Sequence, residues 1–534
     1  MLSILSKYKY SLIFTVLLFI VLTFFLDKHI HWVFAIINIV FIILTYILIS
    51  NIKNNVISNI VMAAISFILS GGIAFALLFQ IPLRVGNLAS IIETNPAEAS
   101  TMPTHVYWVS IATYIVTIFL SFYVKYELKN LISSRIAAVL LLGVVIIINA
   151  LAFIIPAYRM PFFFNAIKNE FREEPFHTVY VYSGYRMPLL YGDLFAFTVY
   201  GYEKYEVLKL KNSDRKVPEG LTFSAENPAS PKIYLVIGES AYRRNMSLYG
   251  YEIETTPFLD SLARNDSASI SYFEGTSVAN LTRNAIRFSM SFATVKQHND
   301  FWFYKNPIDL ANDLGYHSVW LSNQEKAGLH DNYPSYIAQT SQETYFTPNM
   351  EKEDFDLIEL LSKYHKEDQK QLITLHLVGS HFPYNIRYDS IDESHFKNMD
   401  EVSEYDKTLH HTDRVLKALY DYSRANDSSS IILYYSDHGT SPERGLHGLQ
   451  NASSADFEIP MVFIKHNLDK LNIDSIASNY IYRGHIGNSN IPYILSEIMG
   501  YSIDATTLGK ARIDGEYFVL PDGQTARFRE LEGR

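Results

Sequence analysis

The stretch Lys232-Ile-Tyr-Leu-Val-Ile-Gly-Glu239-Ser240 decides the fold of the carboxyl-terminal half of this chain. It is a short, almost continuously apolar run with several β-branched residues, and it ends in Gly-Glu. Runs of this kind are typical of strands that are buried on both faces of a parallel sheet. We therefore predict a central strand here, with Glu239 just beyond its carboxyl end.

Two later segments repeat the pattern. Residues 372–381 (Leu-Ile-Thr-Leu-His-Leu-Val-Gly-Ser-His) end in Gly-Ser-His, and residues 431–439 (Ile-Ile-Leu-Tyr-Tyr-Ser-Asp-His-Gly) end in Asp-His-Gly. Segments between the strands, for example 306–314 and 400–422, have helical patterns. Alternating strands and helices predict an α/β/α sandwich around a parallel sheet.

The predicted strand ends carry side chains that bind metals. They are Glu239, His381, Asp437 and His438. In open α/β sheets, ligands bind beyond the carboxyl ends of the strands, so these residues should meet at one edge. The chain has no cysteine, which excludes thiolate metal sites and disulfides. Carboxylate and imidazole ligands suit zinc, so we predict a zinc site at this edge.

A nucleophile candidate lies between the first two predicted strands. Thr282 ends the segment Ser277-Val-Ala-Asn-Leu-Thr282 and precedes a stretch that can continue as a helix. Thr282 could simply cap that helix. Alternatively, the helix N-terminus would bind a phosphate there, and a neighbouring metal would lower the pKa of the hydroxyl enough to make it a nucleophile.

The amino-terminal part predicts a membrane domain. Five apolar runs, each long enough to cross a bilayer, cover residues 10–26, 32–50, 57–79, 106–124 and 136–155. Basic residues concentrate before the first run and in the loops after the second and fourth runs, namely Lys7, Lys9, Lys53, Lys125, Lys129 and Arg135. The positive-inside rule then places the N-terminus inside and everything beyond Pro156 outside.

Composition and turn signals predict three parts in this chain of 534 residues. Residues 1–158 form a transmembrane domain of five helices, residues 159–225 an interfacial or linker region, and residues 226–534 an extracytoplasmic catalytic domain. The net charge of −10 argues against a nucleic-acid partner.

The motifs around these residues resemble a known family. Gly238-Glu-Ser-Ala-Tyr-Arg-Arg-Asn-Met-Ser-Leu-Tyr-Gly-Tyr251, followed by Glu254-Thr-Thr-Pro-Phe-Leu259, is similar to the opening signature of phosphoethanolamine transferases in the alkaline phosphatase/sulfatase superfamily. Ser436-Asp-His-Gly439 with His447-Gly448 resembles that family's second metal block. The resemblance implies the fold of that superfamily for residues 226–534.

The resemblance also implies roles for individual residues. Glu239, Asp437 and His438 match the zinc ligands, and Thr282 matches the nucleophile, which also contacts the zinc. His381 and His447 match histidines that bind the phosphoryl group, protonate the leaving group or hold a second zinc. Asn323, in Trp320-Leu-Ser-Asn-Gln324, falls where the family places a substrate-binding polar residue.

Two departures leave the acceptor open. The best-known members have disulfides in the soluble domain, whereas this chain has no cysteine. The block Ala279-Asn-Leu-Thr-Arg283 lacks the Cys-Gly-Thr pattern of the lipid A enzymes.

The resemblance implies transfer of phosphoethanolamine from phosphatidylethanolamine to lipopolysaccharide or another envelope glycan, through a phosphothreonine-type intermediate. We expect a multi-pass monomer in the bacterial inner membrane with its catalytic domain in the periplasm. One alternative is a phosphoglycerol transferase of the lipoteichoic acid synthase type. Another is a non-catalytic membrane sensor on the same fold. Arg243, Arg244 and Arg283 could bind anionic glycans, but we interpret them as solvated surface charges.

Overall fold

The computed structural model describes residues 42–79, 83–93, 103–128, 140, 143, 191–210, 214–227, 229–324, 333–347, 353–397, 402–442, 452–521 and 523–531. The chain divides into two compact units. The first comprises Met1–Ile91 and Met102–Glu206, and the second comprises Ile92–Thr101 and Val207–Arg534. The domain limits at residues 158 and 225 stay predictions.

The described part of the first unit is helical. Residues 42–50 form a helix, and the labelled helices are α1 Asn55–Phe79, α2 Val85–Glu93, α3 Thr104–Leu128 and α4 Tyr191–Leu210. The Tyr46 hydroxyl is hydrogen-bonded to Ser121 Oγ at 2.6 Å, and Ser58 Oγ donates to the Ile49 carbonyl at 2.7 Å. These polar contacts between helices supplement apolar packing that includes Met62 and Val124.

Two of the described helices are long and apolar enough to cross a membrane. They cover Asn55–Phe79 and Thr104–Glu127 and correspond to the third and fourth predicted runs. α3 exposes large apolar side chains such as Trp108, Ile115 and Phe119. The first predicted run, most of the second and nearly all of the fifth lie outside the described residues, so the count of five spans stays a prediction.

The second unit contains the strands. Their bounds are β1 Leu221–Phe223, β2 Lys232–Gly238, β3 Ile270–Thr276, β4 His317–Ser322, β5 Glu343–Phe346, β6 Gln371–His376, β7 Ser430–Ser436, β8 Glu458–His466, β9 Ile486–Gly487, β10 Tyr501–Ile503, β11 Tyr517–Val519 and β12 Thr525–Arg527. Within the described residues, eight of them form one sheet in the order β5-β4-β6-β2-β7-β8-β3-β9, while β1 pairs with β10 and β11 with β12.

The central strands confirm the sequence prediction. β2 pairs in parallel with β6 on one side and with β7 on the other, so the three segments singled out by their endings are neighbours. The sheet is mixed rather than purely parallel, because β8 runs antiparallel to β7 and β3. An antiparallel return needs no crossover helix, and the described residues between β7 and β8 contain only the 3₁₀ turn Ser454–Asp456.

Helices cover both faces of the sheet. Their bounds are α5 Pro257–Asn265, α6 Thr282–Ser289, α7 Asp300–Phe303, α8 Pro307–Asp313, α9 Tyr333–Ala338, α10 Phe355–Tyr364, α11 Ser390–His395, α12 Glu404–Asn426, α13 Ile473–Ser478, α14 Ile491–Ile498 and α15 Ala505–Asp514. α8 lies where 306–314 predicts a helix. α12 begins later than residue 400 because Ser403 and Asp406 form a capping box at its start.

Two apolar cores sandwich the sheet. Alternate residues of β2 point to opposite faces. Ile233 and Leu235 join a core that contains residues of α6, α8 and α14. Tyr234 and Val236 join a second core that contains residues of α5, α10 and α12. This confirms the α/β/α sandwich, because β2 is buried at every position and helices cover both of its faces.

Candidate metal centre and nucleophile

Strand register brings the acidic strand ends together. Gly238 pairs with Ser436 in the parallel β2–β7 ladder, and the backbone N–H of Asp437 donates to the Gly238 carbonyl at 2.9 Å. Glu239 and Asp437 therefore leave the sheet side by side, with His438 next along the chain. Thr282, the first residue of α6, reaches the same edge. We call Glu239, Thr282, Asp437 and His438 the four-residue cluster.

The polar atoms of this cluster lie within a few ångströms of each other. The Thr282 hydroxyl donates to Glu239 Oε2 at 3.0 Å and lies 3.3 Å from His438 Nε2. His438 Nε2 is 3.3 Å from Glu239 Oε1 and 3.5 Å from Asp437 Oδ2. Four ligands bound tetrahedrally at zinc distances are about 3.3 Å apart. These separations therefore fit one tetrahedral ion.

The chemistry of the donor atoms also fits a metal. Asp437 Oδ1 accepts the N–H groups of Ser240 and His438, but Asp437 Oδ2 is buried without a hydrogen-bond donor. His438 Nδ1 is 2.7 Å from the Gly439 carbonyl, which places the proton on Nδ1 and directs the Nε2 lone pair into the cluster. A buried, unpaired carboxylate oxygen is costly unless a cation binds it.

The electrostatics of the cluster favour a bound cation. Burial, with Glu239 alongside, raises the pKa of Asp437. Burial disfavours the imidazolium, yet the carboxylates of Asp437 and Glu239 raise the pKa of His438 above its usual range. A negative charge on Asp437 beside the buried Glu239 carboxylate is therefore unfavourable unless a positive charge lies next to it. A divalent ion would supply that charge.

Backbone geometry fixes the ligand loops. Ser240 adopts φ of +57°, a left-handed conformation that is uncommon outside glycine, and its carbonyl accepts a 2.8 Å hydrogen bond from the Tyr405 hydroxyl. At Gly439 an added Cβ would lie 2.1 Å from the Ala455 carbonyl oxygen, so only glycine fits beside His438.

Thr282 does not act as a side-chain cap. The N-cap position is Leu281, which makes no capping hydrogen bond. The hydroxyl of Thr282 instead points into the cluster. Thr282 is half-buried, whereas Glu239, Asp437 and His438 are fully buried. Thr282 is therefore the member of the cluster that an incoming substrate can reach.

The other predicted site residues occupy different places. His381 follows β6 on a half-exposed loop, and its Nδ1 is 2.6 Å from the Phe382 carbonyl. The backbone N–H of its neighbour Ser380 donates to the Glu239 carbonyl, so His381 lies next to the metal loop along the chain. His447 lies outside the described residues.

Asn323 and Gln324 make different contacts. Asn323 is buried and donates to the Glu353 carbonyl at 2.8 Å and to Asp354 Oδ1 at 3.0 Å. Gln324 Nε2 donates to Glu239 Oε2 at 3.0 Å. Within the segment that the family resemblance singled out, Gln324 therefore holds the predicted metal ligand. The substrate-binding role of Asn323 stays a prediction.

Sequence reasoning missed the residues that hold the ligands from behind. Ser277 Oγ and Asn488 Nδ2 both donate to the Asp437 carbonyl, at 2.6 and 2.9 Å. Gln324 belongs to the motif Trp320-Leu-Ser-Asn-Gln324, so the sequence could have pointed to it. Nothing in the sequence links Asn488 to Asp437. His376, buried under the same edge, is neutral because burial lowers its pKa to about 4.

The paired arginines are not simply solvated charges. Arg243 is buried and lies 2.7 Å from Glu274 Oε2 and 3.4 Å from Glu458 Oε2. Arg244 pairs with the buried Glu458 carboxylate. Ion pairing inside the domain therefore corrects the surface-charge interpretation, at least for Arg243.

Known proteins resemble this chain in sequence and in fold. Residues 231–479 match the family model described as Sulfatase. Phosphoethanolamine transferase OpgE of Escherichia coli K12 is 30% identical over 233 residues, an alignment that covers 42% of this chain and 42% of that relative.

Two solved structures share the fold. The integral membrane protein lipooligosaccharide phosphoethanolamine transferase A of Neisseria meningitidis superposes with a TM-score of 0.61 and 18% identity over 90% of each chain. The C-terminal periplasmic domain of EptC from Escherichia coli, in complex with Zn, superposes with a TM-score of 0.51 and 21% identity, over 60% of this chain and 98% of that domain.

Proposed function

Because the chain belongs to the phosphoethanolamine transferase family of the alkaline phosphatase/sulfatase superfamily and is a transferase, we propose that it moves phosphoethanolamine from phosphatidylethanolamine to a cell-envelope glycan or lipopolysaccharide. The observation that carries this proposal is the four-residue cluster, in which a partly accessible threonine hydroxyl contacts three buried metal-binding side chains.

The metal in the proposal is zinc. Glu239, Asp437 and His438 would hold it, and their ligand atoms lie within 4.8 Å of one another. Bound zinc would supply positive charge that lowers the pKa of a nearby hydroxyl and stabilises developing negative charge. The Zn complex of a protein with the same fold supports the choice of metal.

Thr282 would carry out the first half of the reaction. Its Oγ1 forms a bond to phosphorus while the bond from phosphorus to the diacylglycerol oxygen breaks. The hydroxyl proton, which Thr282 donates to Glu239 Oε2 in the structure, would be given up through that contact, and the departing diacylglycerol oxygen would take up a proton from His381 or His447. The first turn of α6 offers N–H groups and a positive dipole end to the phosphoryl oxygens.

The second half would return the enzyme to its starting state. An acceptor hydroxyl or phosphate attacks phosphorus, and the bond to Thr282 Oγ1 breaks. His381 and His447 are the proposed proton donors or phosphoryl-binding residues. Separating transfer into two displacements lets one site use two large substrates in turn.

We also propose that the chain is a multi-pass protein of the bacterial inner membrane with its catalytic unit in the periplasm. The two described helices that could cross a membrane support this placement. A donor lipid in the outer leaflet would then be presented to the site at high effective concentration.

Labelled lipids test the proposed function. The full-length chain in detergent is incubated with zinc and phosphatidylethanolamine labelled in its head group, or with phosphatidylglycerol labelled in the same way. We expect label from phosphatidylethanolamine on Thr282, located by mass spectrometry of peptides, and none after zinc is chelated. Label from phosphatidylglycerol alone would favour the phosphoglycerol transferase, and label on Ser277 or Ser289 would contradict the role of Thr282.

A further inference from the structure

His376 is a buried histidine at the end of β6, the strand that pairs with β2. Its neighbours in the sheet register are Ser322 on β4 and Ile237 on β2. We propose that His376 is a positioning residue of the metal centre, which acts through Ser322 and Gln324 on the ligand Glu239. The inference rests on the proposed function, because Glu239 is a zinc ligand only within that function.

The hydrogen bonds of Ser322 decide which nitrogen of His376 carries the proton. Ser322 Oγ donates its single proton to the Gln324 carbonyl at 3.1 Å and accepts the backbone N–H of Gln324 at 3.1 Å. The Nδ1 atom of His376 lies 3.3 Å from the same hydroxyl oxygen. Because only an acceptor lone pair of Ser322 is left for this contact, Nδ1 is the donor.

The imidazole of His376 is neutral, so it has one N–H to donate. Burial lowers the pKa of His376 to about 4, although the charge of Glu239 opposes this shift. The contact with Ser322 places the one proton on Nδ1. Nε2 then presents a lone pair, and no residue that the structure describes donates to it. The ring therefore acts on the site through Nδ1.

Gln324 connects this histidine to the predicted metal ligand. Its side-chain amide donates one hydrogen bond of 3.0 Å to Glu239 Oε2 and another of 3.0 Å to the Leu377 carbonyl. Both amide protons are thus placed, which fixes the orientation of the amide. Ser322 holds the backbone of the same residue. A shift of Ser322 would therefore move Gln324 and its contact with Glu239.

The side-chain contacts matter because Gln324 lies beyond the end of its strand. β4 ends at Ser322, so the ladder between β4 and β6 does not extend to Gln324. The N–H of Asn323 still donates to the His376 carbonyl, at 3.0 Å. The next residue is held by the Ser322 hydroxyl and by its own amide. The donor at His376 Nδ1 helps to fix that hydroxyl.

A histidine that only fills space would have no need of this donor. The His376 ring packs edge to face with Trp320, with the ring centroids 5.8 Å apart. If this packing were its whole role, another side chain of similar size would serve as well. Burying a polar ring in a mainly apolar layer costs free energy. The hydrogen bond from Nδ1 is the feature that an apolar side chain could not supply.

Two amide substitutions distinguish the nitrogens of the ring. Asparagine places an N–H donor close to the position of Nδ1, whereas glutamine reaches the position of Nε2. The full-length chain in detergent is loaded with zinc and titrated with a competing chelator. We expect His376→Gln and Ser322→Ala to bind zinc about tenfold more weakly than the wild type, and His376→Asn to stay within about twofold of it.

A double substitution tests the route from His376 to Glu239. Gln324→Leu already breaks the contact with Glu239, so adding His376→Gln should cause no further loss of zinc affinity. Thr374→Val is the matched control, because it removes another buried polar group from the same face of β6 and should leave zinc affinity unchanged. Urea unfolding of the zinc-free chains checks that each variant folds, and Ser322→Ala breaks the link without altering the ring.

The outcomes are distinct. The inference is overturned if the glutamine and asparagine variants of His376 bind zinc equally well, if Ser322→Ala binds zinc as the wild type does, or if the losses from His376→Gln and Gln324→Leu add. A wild-type chain that binds no zinc would refute the proposed metal and the inference together. A chain that shows the expected zinc affinities but takes no label from phosphatidylethanolamine would refute the proposed function alone.

Discussion

Thr282 Oγ1 has an acidic partner on one side and an imidazole on the other, 3.0 Å from Glu239 Oε2 and 3.3 Å from His438 Nε2. Neither contact is needed for helix α6, whose cap position is Leu281. A threonine used only for structure would be expected to satisfy its hydroxyl with the helix backbone. This oxygen is instead placed where a metal and a phosphorus atom could both reach it.

Replacing Thr282 should abolish the first step of the reaction without removing the bound zinc. We expect Thr282→Ala to abolish the labelled intermediate while zinc remains bound, because the three buried ligands are intact. Thr282→Ser is the matched control, since it keeps the hydroxyl, and it should form the intermediate at a reduced rate. Peptide mass spectrometry and metal analysis measure the two effects. An intermediate that persists in the alanine variant would contradict the assignment.

Gln324 should tune the affinity for zinc. Its amide orients Glu239 through the 3.0 Å hydrogen bond to Oε2. Loss of a group that orients a metal ligand typically lowers metal affinity about 10- to 100-fold. We therefore expect Gln324→Leu to release zinc to a competing chelator at correspondingly lower chelator concentrations.

Asn323→Ala is the neighbouring control. Because Asn323 donates to Asp354 and Glu353, its loss should lower the free energy of unfolding by about 1–3 kcal/mol and leave zinc affinity as in the wild type. Unchanged stability together with a raised KM for the donor lipid would instead support the predicted substrate-binding role of Asn323.

Among the elements, α11 and α12 are joined by one buried carboxylate. Asp392 accepts hydrogen bonds from His410 Nδ1 at 2.7 Å, from His411 Nδ1 at 2.8 Å and from Arg414 Nη1 at 2.9 Å. Asp389, Asp392 and His411 could be mistaken for a second metal site, but the guanidinium of Arg414 already supplies a positive charge there. The group therefore joins the two helices.

This contact should make the stability depend on pH. Burial opposes ionisation, but the hydrogen bonds from His410 and His411 hold the pKa of Asp392 well below its usual range. A carboxylate with a lowered pKa in the folded state stabilises that state fully above about pH 5, and the contribution is lost as pH falls below about 4. We expect Asp392→Asn to cost about 3 kcal/mol at pH 7 and progressively less below pH 4, measured by urea unfolding.

A control for this prediction lies on the same helix. Asp421 is exposed and pairs with Lys417 at 2.5 Å. Such exposed pairs contribute at most about 1 kcal/mol, so Asp421→Asn should change stability little at any of these pH values. Equal effects of the two substitutions would show that the Asp392 network adds nothing beyond surface charge.

At the scale of the whole molecule, the main prediction is how the chain is oriented across the membrane. The chain has no cysteine, so single-cysteine variants can be labelled without background. The basic loop after the second apolar run predicts that Lys53 is cytoplasmic, whereas the catalytic unit should be periplasmic. In intact cells with a permeable outer membrane, an impermeant maleimide should label Arg264→Cys but reach Lys53→Cys only after the inner membrane is opened.

The wild-type chain is the control and should take no label. Labelling of both variants in intact cells would contradict the predicted topology, and labelling of neither would place the catalytic unit in the cytoplasm. The latter result would also separate the enzyme from a donor in the outer leaflet.

The amino-acid sequence alone determined the central strands, and it pointed to three candidate metal ligands at their ends and to the candidate nucleophile. It could do so because strands buried on both faces are continuously apolar, and because ligands of parallel strands collect at one edge. These signals are local, so each is readable from a short stretch such as residues 232–240.

The tertiary structure decided what local patterns do not encode. Asn488 supports Asp437 from 51 positions further along the chain, and β8 reverses its direction within the sheet. His376 is linked to Gln324 through Ser322, which lies on another strand. Each of these facts depends on which distant residues the packing brings within a few ångströms, and such distances are set by the whole chain together.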